Sequence, residues 1–191
     1  MTVQTSSLDQ SPTRPSPGRP WWTVPIIVAV VALLALMAYG MFAADRTQLV
    51  DGPVPDLTLT TYDGEQIALR ELEGTPIVLN FWASWCRECD KEMGWLQAAS
   101  EDHVGELFVL GVAHVDTERA AVAYLEKYGI TYQSGPDLGG QFADVFRIKG
   151  VPETFFIDRE GVIRGMHLGT LEKADLDDWI AQLLAEPTAA Q

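Results

Sequence analysis

One short stretch limits this chain more than any other: the run Ile77-Val78-Leu79-Asn80-Phe81-Trp82, the turn Ala83-Ser84-Trp85, and then Cys86-Arg87-Glu88-Cys89. A short, nearly continuous apolar run reads as a strand buried on both faces, which demands a sheet with something packed on each side. Met93, Leu96 and Ala99 recur at helical spacing, so the chain continues as a helix to about Ser100 with Cys86 at its mouth. A dithiol is thus delivered from the end of a buried strand into the start of a helix. These are the only two cysteines in the sequence. A two-residue spacer closes too small a loop to restrain a domain of this size, so chemistry explains the pair better than stapling does. Thiol–disulfide exchange needs a nucleophilic thiolate and a second thiol close enough to resolve the mixed disulfide. Cys86 would project from the helix N-terminus, where free N–H groups and the macrodipole favour a thiolate. Cys89, one turn inside, would be the shielded resolving thiol.

Other uses of the cysteines fit less well. Haem attachment requires a histidine directly after the second cysteine, and Asp90 stands there. Structural zinc needs four ligands, and His103 and His114 are wrongly spaced to complete a set. Cu(I) binding by the two thiolates, with His167 as a third ligand, stays open as an alternative. No resident metal and no cofactor is expected beyond the redox-active Cys86–Cys89 pair.

The flanking pattern is alternating α/β. Leu57, Leu59 and Thr61 alternate with Thr58 and Thr60, and Asp63-Gly64 turns the chain into Gln66–Leu69, an N-terminal hairpin. After the dithiol helix come a strand at Leu107–Val115 and a helix at about Glu118–Tyr128. A loop with Gly135-Pro136 and Gly139-Gly140 leads to a helical patch at Gln141–Phe146. A strand follows from Val151-Pro152 through Ile157, and another at Val162–His167. In the last helix Leu176, Trp179, Ile180, Leu183 and Leu184 share one face. A strand–helix–strand unit followed by an antiparallel pair and a closing helix implies a mixed sheet with helices on both faces.

The N-terminal part is of another kind. Residues 1–20 hold four Pro and four Ser with no apolar periodicity, and read as a disordered segment. From Trp21 to Ala44 the chain carries no charge. As a helix at ~1.5 Å per residue this run spans about 36 Å, against a hydrocarbon core of ~30 Å. It exceeds the ~7–15 residues of a signal-peptide core, although Ala38-Tyr39-Gly40 offers a small-residue cleavage site, so an uncleaved signal-anchor is the better reading. No cysteine lies near it for a lipoprotein anchor. Trp21, Trp22 and Tyr39 suit the membrane interfaces, and Arg14 and Arg19 hold the N-terminus in the cytoplasm. The expected organisation is a cytoplasmic segment 1–20, a transmembrane helix 21–44, a tether 45–55, a domain 56–186 outside the cell membrane, and a tail 187–191. The whole chain has 27 acidic and 13 basic residues, net −14. Setting aside Asp9, Arg14 and Arg19 leaves residues 45–191 at about −15, which argues against nucleic acid and anionic lipid as partners.

Two stretches carry a family resemblance. Asn80-Phe81-Trp82-Ala83-Ser84-Trp85-Cys86-Arg87-Glu88-Cys89-Asp90-Lys91-Glu92 and Gly150-Val151-Pro152-Glu153-Thr154-Phe155-Phe156-Ile157-Asp158 resemble the TlpA/ResA/DsbE (CcmG) family of membrane-tethered thioredoxin-like thiol–disulfide oxidoreductases. The resemblance covers roughly residues 50–185, and implies a thioredoxin-like fold and an enzyme that reduces protein disulfides. It implies Cys86 as the attacking thiol, Cys89 as the resolving thiol, and Glu92 as an acidic residue handling the dithiol's protons. Trp85 is implied to pack beside the cysteines, and Val151 with Pro152, a cis-proline, to present backbone to a bound peptide. Asn80 takes the place of thioredoxin's buried aspartate, which leaves Glu92 as the candidate proton acceptor. Gly94 departs from the family's usual proline, which puts the expected helix kink in question. The stretch Glu160–Arg164 with His167-Leu168-Gly169 leans toward the cytochrome c maturation branch. Implied partners are protein disulfides, such as those of apocytochrome c or a thiol carrier, and a membrane thiol transporter as electron donor. Acidic surroundings make a thiolate costly, which favours a reductant. Two alternatives stand beside this: a copper-handling protein for oxidase assembly, and a peroxidase on the same fold, which would usually need a differently placed lone cysteine.

Overall fold

The computed structural model describes residues 23–44 and 49–185, so the expected disordered segment 1–20, Trp21 and Trp22, positions 45–48 of the tether and the tail 187–191 lie outside the described residues. The chain divides into two compact units, residues 1–46 and 47–191.

In the first unit, Thr23–Ala44 is a helix (α1) of 22 residues with no charged side chain. Its described large apolar side chains, among them Ile26, Val30, Leu33 and Leu36, are exposed. Side chains are described continuously only over 24–37, about 21 Å of helix at ~1.5 Å per residue. Among the described residues no helix is long and apolar enough to cross a membrane.

The second unit is built on a five-stranded mixed sheet. A hairpin of β1 (Thr58–Thr60) and β2 (Gln66–Ala68) comes first, its turn closed at Gly64, whose φ of 89° an L side chain would resist. Then follow β3 (Ile77–Trp82), α2 (Met93–Asp102), β4 (Phe108–Ala113), α3 (Glu118–Tyr128), β5 (Ser134–Pro136), α4 (Gln141–Phe146), β6 (Glu153–Ile157), β7 (Ile163–Leu168) and α5 (Lys173–Ala185). The strand order is β5-β4-β3-β6-β7, with β3 parallel to β4, β4 parallel to β5, and the other two pairs antiparallel. Every residue of β3 is buried, as its apolar run requires. Val78 and Trp82 face a cluster with residues of α2, α3 and α5, while Ile77, Leu79 and Phe81 face the hairpin and the phenylalanines of α4.

Three expectations are corrected. Ser134–Pro136 is an edge strand rather than loop; the sheet edge tolerates a proline there because no neighbour needs its missing N–H. A Cβ on Gly135 would lie 2.5 Å from the Thr60 carbonyl oxygen, so β1 can approach this strand only at a glycine. Second, the tether drawn to residue 55 already belongs to the domain from Asp51 onward. Asp51 N–H donates to the Ile163 carbonyl, Val54 N–H to that of Gly161, and Ile163 N–H to that of Gly52. Val54 is buried, so apolar burial holds this segment along the start of β7. Third, the α-helix after the dithiol begins at Met93 and not at Cys86.

Candidate active site

β3 feeds the site directly. It ends at Trp82, a turn follows, and Cys89–Lys91 form one 3-10 turn before α2. Cys86 and Cys89 are joined in a disulfide with their Cα atoms 5.4 Å apart. Cys89 is 0% exposed and Cys86 6%, so what access exists is to Cys86. Cys89 N–H donates to Cys86 Sγ at 3.1 Å. Bonds from Lys91 N–H to the Glu88 carbonyl and from Glu92 N–H to the Cys89 carbonyl, 3.3 and 3.2 Å, wind this segment more tightly than an α-helix. Cys86 therefore precedes a tightened turn instead of heading an α-helix, and what that segment offers its sulfur is the Cys89 N–H. Gly94 sits inside the first turn of α2, after the change of winding, with open space where a side chain would begin. The geometry changes here without a proline.

Glu92 lies at the junction of three elements and is fully buried. Asn80, in the middle of β3, donates its amide to Glu92 Oε1 at 2.8 Å. The backbone N–H of Leu171, between β7 and α5, donates to Oε2 at 2.7 Å. Burial pushes the carboxyl up from 4.5 to about 7, against the pull of those two hydrogen bonds toward the ionised form. Asn80 also donates to Thr154 Oγ1 of β6 at 2.9 Å. Residue 80 thus holds the acid rather than replacing it, a role its sequence position did not reveal.

The Val151–Pro152 peptide is cis. The antiparallel pairing of Phe81 with Glu153 sets Pro152 at the end of the sheet where β3 runs into the dithiol. Val151 packs against both core clusters, one of which holds Cys86 and Cys89. The Pro152 carbonyl accepts from Gly169 N–H at 2.9 Å. The loop 169–171 therefore ties together the proline segment, Glu92 and, through Thr170, the dithiol segment. Thr170 Oγ1 lies 3.1 Å from a Glu88 carboxylate oxygen that also takes Lys91 Nζ at 2.5 Å. The Lys91 ammonium holds the Glu88 carboxyl below its usual range.

Trp85, directly before Cys86, is 59% exposed. The indole N–H needs an acceptor and finds the Val115 carbonyl oxygen at 3.0 Å, which turns the ring outward. Ser84 donates its N–H and hydroxyl to the Asp116 carboxylate at 2.5 and 2.9 Å. Asn80's hold on Glu92, Leu171, Thr170, Val115 and Asp116 were all missed in the sequence. All but Asn80 meet their partners across 30 to 82 positions, so no local pattern could have found them. The three histidines part company: His103 lies near Glu106, His114 near Asp137, and His167 Nε2 lies 3.1 Å from the Thr170 carbonyl oxygen. Among the described residues no group of three or more His, Cys, Asp or Glu is placed to hold a metal ion.

A mixed sheet that runs from a buried strand into a disulfide-forming Cys-x-x-Cys, with a cis-proline at the same end, defines a thioredoxin-like thiol–disulfide oxidoreductase. The chain belongs to the AhpC/TSA family, whose model matches residues 50–166. It is 30% identical over 166 residues to the thiol:disulfide interchange protein DsbE of Pseudomonas fluorescens, covering 84% of this chain and 92% of the relative. It is 27% identical over 161 residues to the thioredoxin-like protein YneN of Bacillus subtilis, covering 82% and 94%. In structure it matches a thiol:disulfide interchange protein DsbE from Chlorobium tepidum with TM-score 0.68 and 25% identity, over 73% of this chain and all of that one.

Proposed function

We propose that this oxidoreductase is a membrane-tethered, extracytoplasmic reductant of selected protein disulfides, such as those met during cytochrome c maturation. The observation that carries the reading is the Cys86–Cys89 disulfide backed by a buried carboxyl one turn further on. The Cys86 thiolate attacks a substrate sulfur, and the substrate's other sulfur leaves as a thiolate. Cys89 then loses its proton to Glu92 and attacks Cys86 Sγ. The second substrate thiolate is released, and the protein is left as the disulfide with two electrons transferred. A carboxyl that titrates at about 7 accepts a proton from a thiol near neutrality better than an ordinary one does. Val151 and Pro152 offer backbone to the bound polypeptide, and Trp85 stands at the rim. No cofactor beyond the cysteine pair is invoked. Regeneration falls to a dithiol donor, for which a membrane thiol transporter fits a protein held at the membrane surface.

The tether reading is supported by α1, an uncharged helix with exposed apolar side chains that water would disfavour, and by the upstream arginines, which set the domain outside. The test is a Cys89→Ser variant expressed in the parent cell. It is expected to hold a mixed disulfide through Cys86 with a secreted or membrane protein, recovered in the membrane fraction. Capture of cytoplasmic proteins alone, or no captured protein with Cys86 intact, would overturn the proposal.

A further inference from the structure

The loop between β7 and α5 meets Glu92 through a single peptide group, and both ends of that group are engaged. Leu171 N–H donates to Glu92 Oε2 at 2.7 Å. The carbonyl of the same peptide, that of Thr170, lies 3.1 Å from His167 Nε2. A carbonyl oxygen only accepts, so this bond requires the hydrogen of His167 on Nε2. In a planar trans peptide the C=O and the N–H point in opposite directions. His167, the Thr170–Leu171 peptide and Glu92 therefore form one line of hydrogen bonds, from imidazole to amide to carboxyl. The sheet places the histidine for this. Its register sets Asn80 of β3 beside Thr154 of β6, and Thr154 beside His167 of β7. Side chains at paired positions share a face. Asn80 meets the acid directly, and His167, two strands along the same row, meets it through the loop.

We infer that His167 is a positioning residue for proton transfer at the dithiol: its Nε2–H fixes and polarises the peptide whose N–H holds Glu92. The inference rests on the reading of Glu92 as the proton acceptor for Cys89. A bond accepted at the carbonyl oxygen strengthens the same amide as a donor at its other end. That donor favours the ionised carboxyl, against the burial that resists it. The loop is also fastened by Gly169 N–H, to the Pro152 carbonyl, and by the Thr170 hydroxyl, to Glu88. Both of those ties precede the Thr170–Leu171 peptide, and His167 grips the peptide itself by its oxygen. Other titratable groups lie close. Cys89 belongs to the turn that leads into Glu92, and the ionisation of Tyr132 is opposed by burial and then by Glu92. Asp175 and Asp178 of α5 share a cleft with His167. A test must therefore tell titration of the acid from titration of the imidazole.

The readout is the pH profile of Cys89-dependent resolution in the full-length protein, whose limb falls where Glu92 titrates, at about 7. It is followed by stopped-flow release of the second substrate thiol. His167→Leu removes the donor, and the limb is expected to move upward by about half a pH unit, the scale of weakening one hydrogen bond to a charged group. His167→Gln carries an amide N–H as many bonds from the backbone as Nε2 and does not itself titrate. Its limb should stay where the wild type has it. A limb unmoved in His167→Leu, even with the rate lowered at every pH, or one moved equally far in His167→Gln, would overturn the inference. The wild type supplies a second measurement that needs no variant to fold. Nitrogen NMR of the His167 ring should find hydrogen on Nε2, and a neutral ring carrying it on Nδ1 alone would overturn the inference. Glu92→Gln separates this step from the one beneath it: the limb should vanish, and a limb that survives would overturn instead the reading of Glu92, and the role of His167 with it.

Discussion

Glu92 is a carboxyl set where water does not reach it, and its titration follows from that place. The folded protein keeps its proton up to about pH 7, whereas the unfolded chain gives it up near 4.5. Folding thus takes up a proton between those values, and stability present below about pH 4.5 is lost as the pH climbs to about 7, levelling off above. The full loss is at most about 3 kcal/mol on an order-of-magnitude scale. Glu92→Gln keeps the shape without the charge, and Asn80 can turn its oxygen toward the new amide. The melting temperature of oxidised Glu92→Gln, relative to the wild type, should therefore rise between pH 5 and pH 8; a difference independent of pH would reject buried ionisation as the cause. The same substitution should remove the limb near pH 7 from the rate of Cys89-dependent resolution, measured by stopped-flow release of the second substrate thiol. Residue identity alone did not disclose this site. Taken by itself, Glu92 reads as a solvated helix carboxylate, and it stood out only through the family motif. Cys86 and Cys89 needed no such help, because a lone dithiol between a buried strand and a helix has few other uses.

Elements were legible where one periodicity dominated. The runs that become β3, α3 and α4 fall at Ile77–Trp82, Glu118–Tyr128 and Gln141–Phe146, where the sequence puts them. Thr117, whose hydroxyl accepts from Ala120 N–H, and Gly129 in the left-handed region mark the two ends of α3. β5 hid behind Gly135-Pro136, which reads as a turn until a neighbouring strand and hairpin need those two residues. The start of α2 was misplaced because the disulfide and the inward swing of Glu92 tighten a turn whose apolar spacing still looks helical. Gly165 of β7 is a further case of meaning supplied by a partner. Trp179 of α5 lies flat on Phe156, ring centroids 4.5 Å apart, and a Cβ at residue 165 would come within 2.2 Å of the same indole. Gly165→Ala should push Trp179 off Phe156 and cost about 1–3 kcal/mol, as overpacking does. Urea unfolding followed by tryptophan fluorescence measures the loss, and an unchanged midpoint would show that α5 is free to shift.

At the scale of the whole molecule, charge bears on the proposed direction of electron flow. Residues 45–191 carry a net charge of about −15, and the cations nearest the dithiol offset little of it. Lys91 is engaged by Glu88 at 2.5 Å, and Asp90 accepts from the Tyr124 hydroxyl at 2.9 Å, while Glu92 adds a further negative charge as it ionises above about pH 7. A thiolate at Cys86 forms against that field, apart from the Cys89 N–H and the charge of Arg87. A protein is a strong disulfide oxidant when its reduced form is stabilised as a thiolate, and this field withholds that stabilisation. The reduced Cys86 thiol is accordingly expected to ionise no more readily than an ordinary cysteine at low ionic strength, with a potential nearer thioredoxin's ~−270 mV than DsbA's ~−120 mV. Because the opposing charge is spread over the domain surface, much of it acts across distances that salt screens, the Debye length falling from ~30 Å at 0.01 M to ~3 Å at 1 M. Added salt should then lower the Cys86 pKa by a few tenths of a unit. A short-range cause such as burial of the sulfur would not respond. Alkylation rates of the reduced protein against pH at the two salt concentrations, with a glutathione redox titration beside them, separate the cases. A pKa well below that of an ordinary cysteine and rising with salt, or a potential near that of DsbA, would reverse the assignment from reductant to oxidant.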